Sequence, residues 1–210
     1  HNTVLGPGLG GTRMYPYKND KDALIDVLRL SRGMSYKAAI SGLNLGGAKA
    51  VIIGDPNKHK SEAYFRKFGQ FIENLNGKYI TAEDVGTTTQ DMQYINMETD
   101  NVVGLPEVEG GGGDPSPVTA YGVYLGMKAS AKQVYGSDSL SGKKIMVQGT
   151  GKVGMHLVEL LSKENAEILV SDVDQVSLKL ASKEFGAKVI PLSETYSTPM
   201  DIYAPCALGA

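Results

Sequence analysis

The chain has 210 residues, 41% of them hydrophobic and 21% charged, with a formal net charge of −2. That supplies a core for one large domain or two small ones and gives no general attraction to nucleic acid or anionic membrane. A single cysteine, Cys206, excludes an intrachain disulfide and a multi-cysteine zinc site, and no apolar run approaches the roughly eighteen residues of a spanning helix.

The chain opens at His1 with neither a secretory pattern nor an initiator methionine, so a cytoplasmic protein with a cropped N-terminus is expected. Gly6 to Thr12 is too glycine-rich for a regular element. A helix is predicted from about Asp20, with Ala23, Leu24, Val27, Leu28 and Ser31 on one face, Asn19 or Asp20 as its cap, and Gly33 weakening its end. Gly46-Gly47-Ala48-Lys49 leads into the apolar run Ala50 to Ile53, closed by Gly54-Asp55-Pro56, which reads as a buried strand. Ser61 to Asn74 carries Tyr64, Phe65, Phe68, Phe71 and Ile72 at helical spacing. Tyr79 to Ala82 is a further strand, ending at Glu83-Asp84.

Composition changes at the run Gly110 to Gly113, which divides a first domain, 1–110, from a second, 111–210. Asp114 to Thr119 reads as a turn and helix start, with the helix continuing through Ala131. Strands at Ile145 to Gln148, Glu167 to Ser171 and Lys188 to Ile190 then alternate with helices at Val153 to Lys163 and Asp174 to Phe185. This alternation predicts an α/β protein whose second domain is a Rossmann-type, doubly wound parallel sheet. The chain stops three strands in, and a six-stranded dinucleotide domain needs about twice as much sequence, so that domain is expected to be incomplete at its C-terminus.

Gly149, Thr150, Gly151, Lys152, Val153 and Gly154 fit G-x-G-x-x-G between a predicted strand and a predicted helix. The first glycine serves a tight turn, the second lets backbone approach a pyrophosphate, and the third packs helix on sheet. Free N–H groups at the helix start then face the phosphates. Asp172 ends the next strand, where a carboxylate can bind the adenosine ribose and repel a 2′-phosphate, favouring NAD over NADP. A plain strand-to-helix turn and a surface helix cap are the non-functional alternatives for these two features.

In the first domain, Lys37 follows Gly33-Met34-Ser35-Tyr36, Lys49 follows two glycines at the edge of a buried strand, and Asp84 ends another strand. Desolvation lowers a lysine's pKa, and a nearby carboxylate completes an acid–base pair. Spacing alone does not separate these lysines from solvated surface ones. His1, His59 and His156 lack metal-ligand spacing, so no metal is expected. Cys206 reads as buried and inert, and Met34, Met92, Met97, Met127 and Met155 as core filling.

Gly6 to Met14, Arg32 to Lys37, Leu45-Gly46-Gly47-Ala48-Lys49, Gly77 to Thr88, Asp114 to Gly122 and Asp201 to Ala210 resemble, in order, the blocks of leucine dehydrogenases. These form the branch of the Glu/Leu/Phe/Val dehydrogenase superfamily that acts on apolar amino acids. The resemblance implies a two-domain, NAD-dependent enzyme that oxidatively deaminates leucine or another branched-chain amino acid, with substrate held in a cleft. It implies that Lys37 holds the substrate carboxylate, that Lys49 is the catalytic lysine that activates water, and that Asp84 exchanges protons with the substrate nitrogen. Thr119 would contact the nicotinamide carboxamide, and Leu9, Gly10 and Ala82 the substrate side chain. A homo-oligomer, from dimer to octamer, is implied through first-domain surfaces.

Two departures stand out. Ala48 replaces the usual third glycine before the catalytic lysine, and Gly151 to Gly154 and Gly110 to Gly113 look more like phenylalanine dehydrogenases. The block at Thr81-Ala82-Glu83 and the one at Pro115 to Val118 favour leucine. Phenylalanine or valine dehydrogenase is the alternative within the family. An inactive fragment, or a protein that only binds NAD or an amino acid, is the alternative outside it.

Overall fold

A computed structural model of the chain describes residues 1–208. The last two residues of the Asp201 to Ala210 block, Gly209 and Ala210, lie outside the described residues. The chain divides into two compact units, His1–Asp114 and the part from Pro115 onward. The break falls just past the glycine run, because Gly111 N–H donates to the Pro106 carbonyl and Gly113 N–H to that of Leu105, tying the run to the first unit.

The first unit contains β1 (Gly8–Leu9), β2 (Thr12–Tyr15), α1 (Asp20–Ile40), β3 (Gly46–Gly47), β4 (Ala50–Ile53), α2 (Glu62–Glu73), β5 (Tyr79–Ile80) and α3 (Thr89–Asn96). Its strands pair in parallel, in the orders β3-β1-β5 and β2-β4. The glycine-rich opening segment is therefore not irregular: β1 is flanked on both sides, its backbone groups satisfied by β3 and β5. The helix predicted from Asp20 is capped by the Asn19 side chain, but it runs through Gly33 to Ile40 rather than weakening there. Packing explains the difference. A Cβ on Gly47 would lie 2.1 Å from Ser35 N and 2.6 Å from Ser31 O, so the backbone of α1 rests directly on β3, and this contact outweighs one glycine's low helix propensity. Helix α3 was not anticipated. It starts at a capping box between Thr88 and Asp91 and buries Met92 and Ile95 completely, joining Met14, Ile52, Phe65 and Ile72 in the core. Met97, expected inside, is instead 57% exposed at the end of that helix.

The second unit contains α4 (Ser116–Tyr135), β6 (Lys144–Gln148), α5 (Lys152–Ser162), β7 (Glu167–Ser171), α6 (Gln175–Phe185), β8 (Lys188–Val189) and β9 (Ile202–Pro205). Among the described residues its sheet has four parallel strands, ordered β8-β7-β6-β9, so the count of three strands is corrected by β9. Alternation along the strands places the faces. Ile145, Val147, Ile168 and Val170 pack with α4, α5 and α6 on one side, while Met146, Leu169 and Ile190 form a smaller cluster. Both units are α/β with parallel pairing, as the strand and helix alternation predicts.

Candidate active site

The contact of α1 with β3 sets where two lysines of the first unit stand. Lys37 lies in the last turn of α1 and is exposed, and Lys49 sits between β3 and β4, so the two ammonium groups come close enough to repel. The Lys49 side chain is 5% exposed, and its Nζ donates to Asp84 Oδ1 at 2.7 Å. Asp84 follows β5 in a loop held by the Thr87 hydroxyl, which accepts from Asp84 N–H and donates to backbone carbonyls. Burial lowers the pKa of Lys49; Asp84 opposes this, Arg13 and Lys37 add to it, and the net result lies below the ordinary lysine value. For Asp84, burial pushes the carboxyl up, but Lys49 and Arg13 outweigh it and hold the group below the usual carboxylate range. The result is an ion pair whose amine parts with its proton more readily than a surface lysine, beside a second cation.

Leu9 and Gly10 lie between two neighbours at the same end of the sheet. Leu9 O accepts from Ala48 N–H, and Gly10 N–H donates to Ile80 O. Ala82 is on the adjoining segment, its carbonyl accepting from Thr12 N–H. Gly10 is buried, whereas Leu9 and Ala82 are half-buried. The structure thus brings Lys37, Lys49, Asp84, Leu9, Gly10 and Ala82 to one region of the first unit. Sequence reasoning missed Arg13, which donates to Asp84 Oδ2 across 71 residues of chain; no local pattern marks it, since the contact is made by the parallel bridge of Thr12 with Glu83, which sets β2 beside the segment after β5.

In the second unit the three glycines of the turn differ in what surrounds them. Gly149 sits at φ +96°, which favours glycine. A Cβ on Gly154 would lie 1.8 Å from Gly149 O, so only glycine lets α5 pack this closely. Beside Gly151 a Cβ would meet nothing within 4 Å among the described residues. Gly151 is the N-cap of α5, and among the described residues no side chain caps it and no acidic residue occupies the first turn. Lys152 is exposed at the helix start, and Val153 packs against the core.

Asp172 follows β7. Its Oδ2 accepts from Thr150 N–H at 2.5 Å and from Thr150 Oγ1 at 3.1 Å, and its Oδ1 accepts from Asp174 N–H. Burial pushes this carboxyl up, but the backbone N–H groups of Asp174, Thr150 and Val173 and the Thr150 hydroxyl bring it below the ordinary range, so it is an anion with acceptor sites to spare. Thr119 is exposed in the first turn of α4, its hydroxyl donating to Pro115 O at 2.8 Å. Burial pushes the Cys206 thiol up, away from reactivity. Among the described residues no helix is long and apolar enough to cross a membrane.

Residues 1–101 match the family described as Glu/Leu/Phe/Val dehydrogenase, dimerisation domain, and residues 110–176 match that described as Glutamate/Leucine/Phenylalanine/Valine dehydrogenase. A leucine dehydrogenase of Bacillus subtilis (strain 168) is 57% identical over 210 residues, which is 100% of this chain and 58% of that protein. A phenylalanine dehydrogenase of Lysinibacillus sphaericus is 51% identical over 214 residues, covering 100% of this chain and 56% of its own length. Among solved structures, L-tryptophan dehydrogenase from Nostoc punctiforme has a TM-score of 0.72 at 44% identity, covering 100% of this chain and 59% of that one. The chain spans somewhat over half the length of the relatives it matches.

Proposed function

Because the chain belongs to the Glu/Leu/Phe/Val dehydrogenase family, we propose that the whole protein catalyses the reversible, NAD-dependent oxidative deamination of leucine and other branched-chain L-amino acids. The products are the 2-oxo acid, ammonia and NADH. One observation carries the reading: a buried lysine, lowered in basicity, donates at 2.7 Å to a carboxylate and has a second lysine beside it. A protein that only binds an amino acid needs the outer cation but not this acid–base pair.

Each group has a task its chemistry suits. Lys37 pairs with the substrate carboxylate and fixes its orientation. Asp84 takes a proton from the substrate ammonium and leaves a neutral amine. NAD, when bound, would supply the acceptor for the hydride on Cα, which would turn the substrate into an iminium. Lys49, as the neutral amine, takes a proton from the water that attacks the iminium carbon. Asp84 returns its proton to nitrogen as the carbinolamine releases ammonia, and the hydroxyl proton passes to the carboxylate thus regenerated as the carbonyl forms. Leu9, Gly10 and Ala82 are our candidates for contact with the substrate side chain.

The residues present fit the cofactor. The open space at Gly151 and the uncapped start of α5 suit a pyrophosphate, so Gly149 to Gly154 would hold the phosphates. Asp172 would hold the adenosine ribose and Thr119 the nicotinamide carboxamide. Replacing Asp172 with Ser is expected to narrow the preference for NAD over NADP, read as the ratio of kcat/KM values, by about tenfold or more. An unchanged ratio would remove Asp172 from that role. Homo-oligomerisation through the first unit and a cytoplasmic setting belong to the same reading; the description of residues 1–101 as a dimerisation domain supports the former.

Phenylalanine is the second substrate reading, favoured by the relative at 51% identity. A kcat/KM panel of leucine, valine, isoleucine and phenylalanine with NAD tests both. Leucine or its branched isomers are expected to lead. A lead for phenylalanine replaces the substrate assignment, and no NADH from any of the four defeats the enzymatic one.

A further inference from the structure

The second oxygen of Asp84 is engaged as firmly as the first. Arg13, on β2, donates from Nε to Asp84 Oδ2 at 2.8 Å and from Nη1 to Asp26 Oδ2 at 3.0 Å. The Tyr17 hydroxyl donates to that same Asp26 oxygen. Asp26 belongs to α1, the helix that ends near Lys37, so the guanidinium ties the sheet, the helix and the catalytic carboxylate together. The Arg13 side chain is 12% exposed; burial works against its charge, but Asp84 and Asp26 outweigh it and keep Arg13 a cation.

We propose that Arg13 is a positioning residue for the Lys49–Asp84 pair: its guanidinium, anchored on Asp26, occupies Asp84 Oδ2 and leaves Oδ1 alone to face Lys49. The proposal rests on the reading of that pair as the acid–base centre. A carboxylate held by one lysine can rotate and present both oxygens to the ammonium. A planar guanidinium in line with one oxygen fixes the carboxylate plane, which a lysine at position 13 would not do.

Charge follows from the same geometry. Lys49 is faced by Asp84, Arg13 and Lys37, and Asp84 is faced by Lys49 and Arg13 and also acts on Tyr79. Removing the Arg13 cation removes repulsion from the Lys49 ammonium while Asp84 remains, so Lys49 holds its proton to higher pH. A residue with a merely structural role would not move that titration.

The test compares the whole protein with its Arg13→Gln and Arg13→Lys variants. Each is checked for folding by circular dichroism and Tm. Competitive labelling with acetic anhydride, read by peptide mass spectrometry as a function of pH, gives the titration midpoint of Lys49 without reference to activity. In Arg13→Gln the midpoint is expected to rise by about half a pH unit or more, and kcat/KM near neutral pH to fall about tenfold or more. Arg13→Lys is expected to restore the midpoint but only part of kcat/KM, because the charge returns without the fork.

An unmoved midpoint together with kcat/KM within about twofold of the parent in folded Arg13→Gln overturns the proposal. Should that variant not fold, Arg13→Lys decides: kcat/KM fully equal to the parent's overturns it, and a partial loss at an unchanged midpoint supports it. If the parent forms no NADH from any amino acid of the panel, the enzymatic reading falls, while the labelling midpoint still decides whether Arg13 governs Lys49.

Discussion

Lys49→Ala is expected to lower kcat for leucine about a thousandfold, the scale of a lost general base. The side chain is almost wholly buried and its amine is the closest cation to Asp84 Oδ1, so no neighbouring group can take its place at that oxygen. Lys37 is exposed at the end of α1, and Arg13 is engaged on the other oxygen of the carboxylate. The loss belongs in kcat rather than in cofactor affinity, because the glycine turn and Asp172 are built in the other unit. NAD binding followed by fluorescence titration is therefore expected to stay within about twofold of the parent. Since Arg13 still pairs with Asp84 in the variant, the carboxylate is not stranded without a partner, and the fold is expected to persist. A kcat near the parental value would take the catalytic role from Lys49.

Gly154→Ala is expected to act on stability and on cofactor binding at once. The new methyl carbon would stand 1.8 Å from Gly149 O and 2.9 Å from Gly149 C, both backbone atoms of the turn that α5 must approach. No side-chain rotation relieves this, so helix and turn must separate. Overpacking of this kind costs about 1–3 kcal/mol, to be read from urea denaturation. The displaced helix start also carries its N–H groups away from the open space at Gly151, and NAD affinity is expected to drop by about tenfold or more. Gly151→Ala is the informative contrast. Among the described residues nothing lies within 4 Å of its Cβ position, so stability should change little while the methyl group intrudes on the space assigned to the pyrophosphate. Equal NAD affinity in all three proteins would remove the turn from cofactor binding.

Much of this arrangement is legible in the sequence, for reasons that differ by residue. Gly149, Gly151 and Gly154 announce themselves because the turn they form involves backbone close to them in the chain, and the strand and helix that flank them carry clear periodicity. Lys49 was marked by the resemblance rather than by spacing, because the approach of α1 that Gly47 permits is made by residues more than ten positions away in the chain. Strand β1 was not legible, because two residues cannot display a period and their order comes from neighbours on both sides. Strand β9 ends in Pro205 and is recruited by β6, while α3 has only eight residues and owes its place to Met92 and Ile95 in the core. Arg13 illustrates the limit most sharply. Its partners Asp26 and Asp84 are 13 and 71 residues away, and only the pairing of β2 with the segment that follows β5, and the packing of α1, bring them together.

The most direct test of the Lys49–Asp84 pair as the acid–base centre is the pH dependence of kcat/KM for leucine in the whole protein and in Lys49→Ala. Burial lowers Lys49 below the ordinary lysine value of 10.5, so the parent is expected to gain activity along a limb with its midpoint below that value as the amine loses its proton. That limb should be missing from the variant, leaving only the titration of the substrate's own amine, which both proteins share. Profiles of identical shape in parent and variant would contradict the assignment of Lys49 as the base.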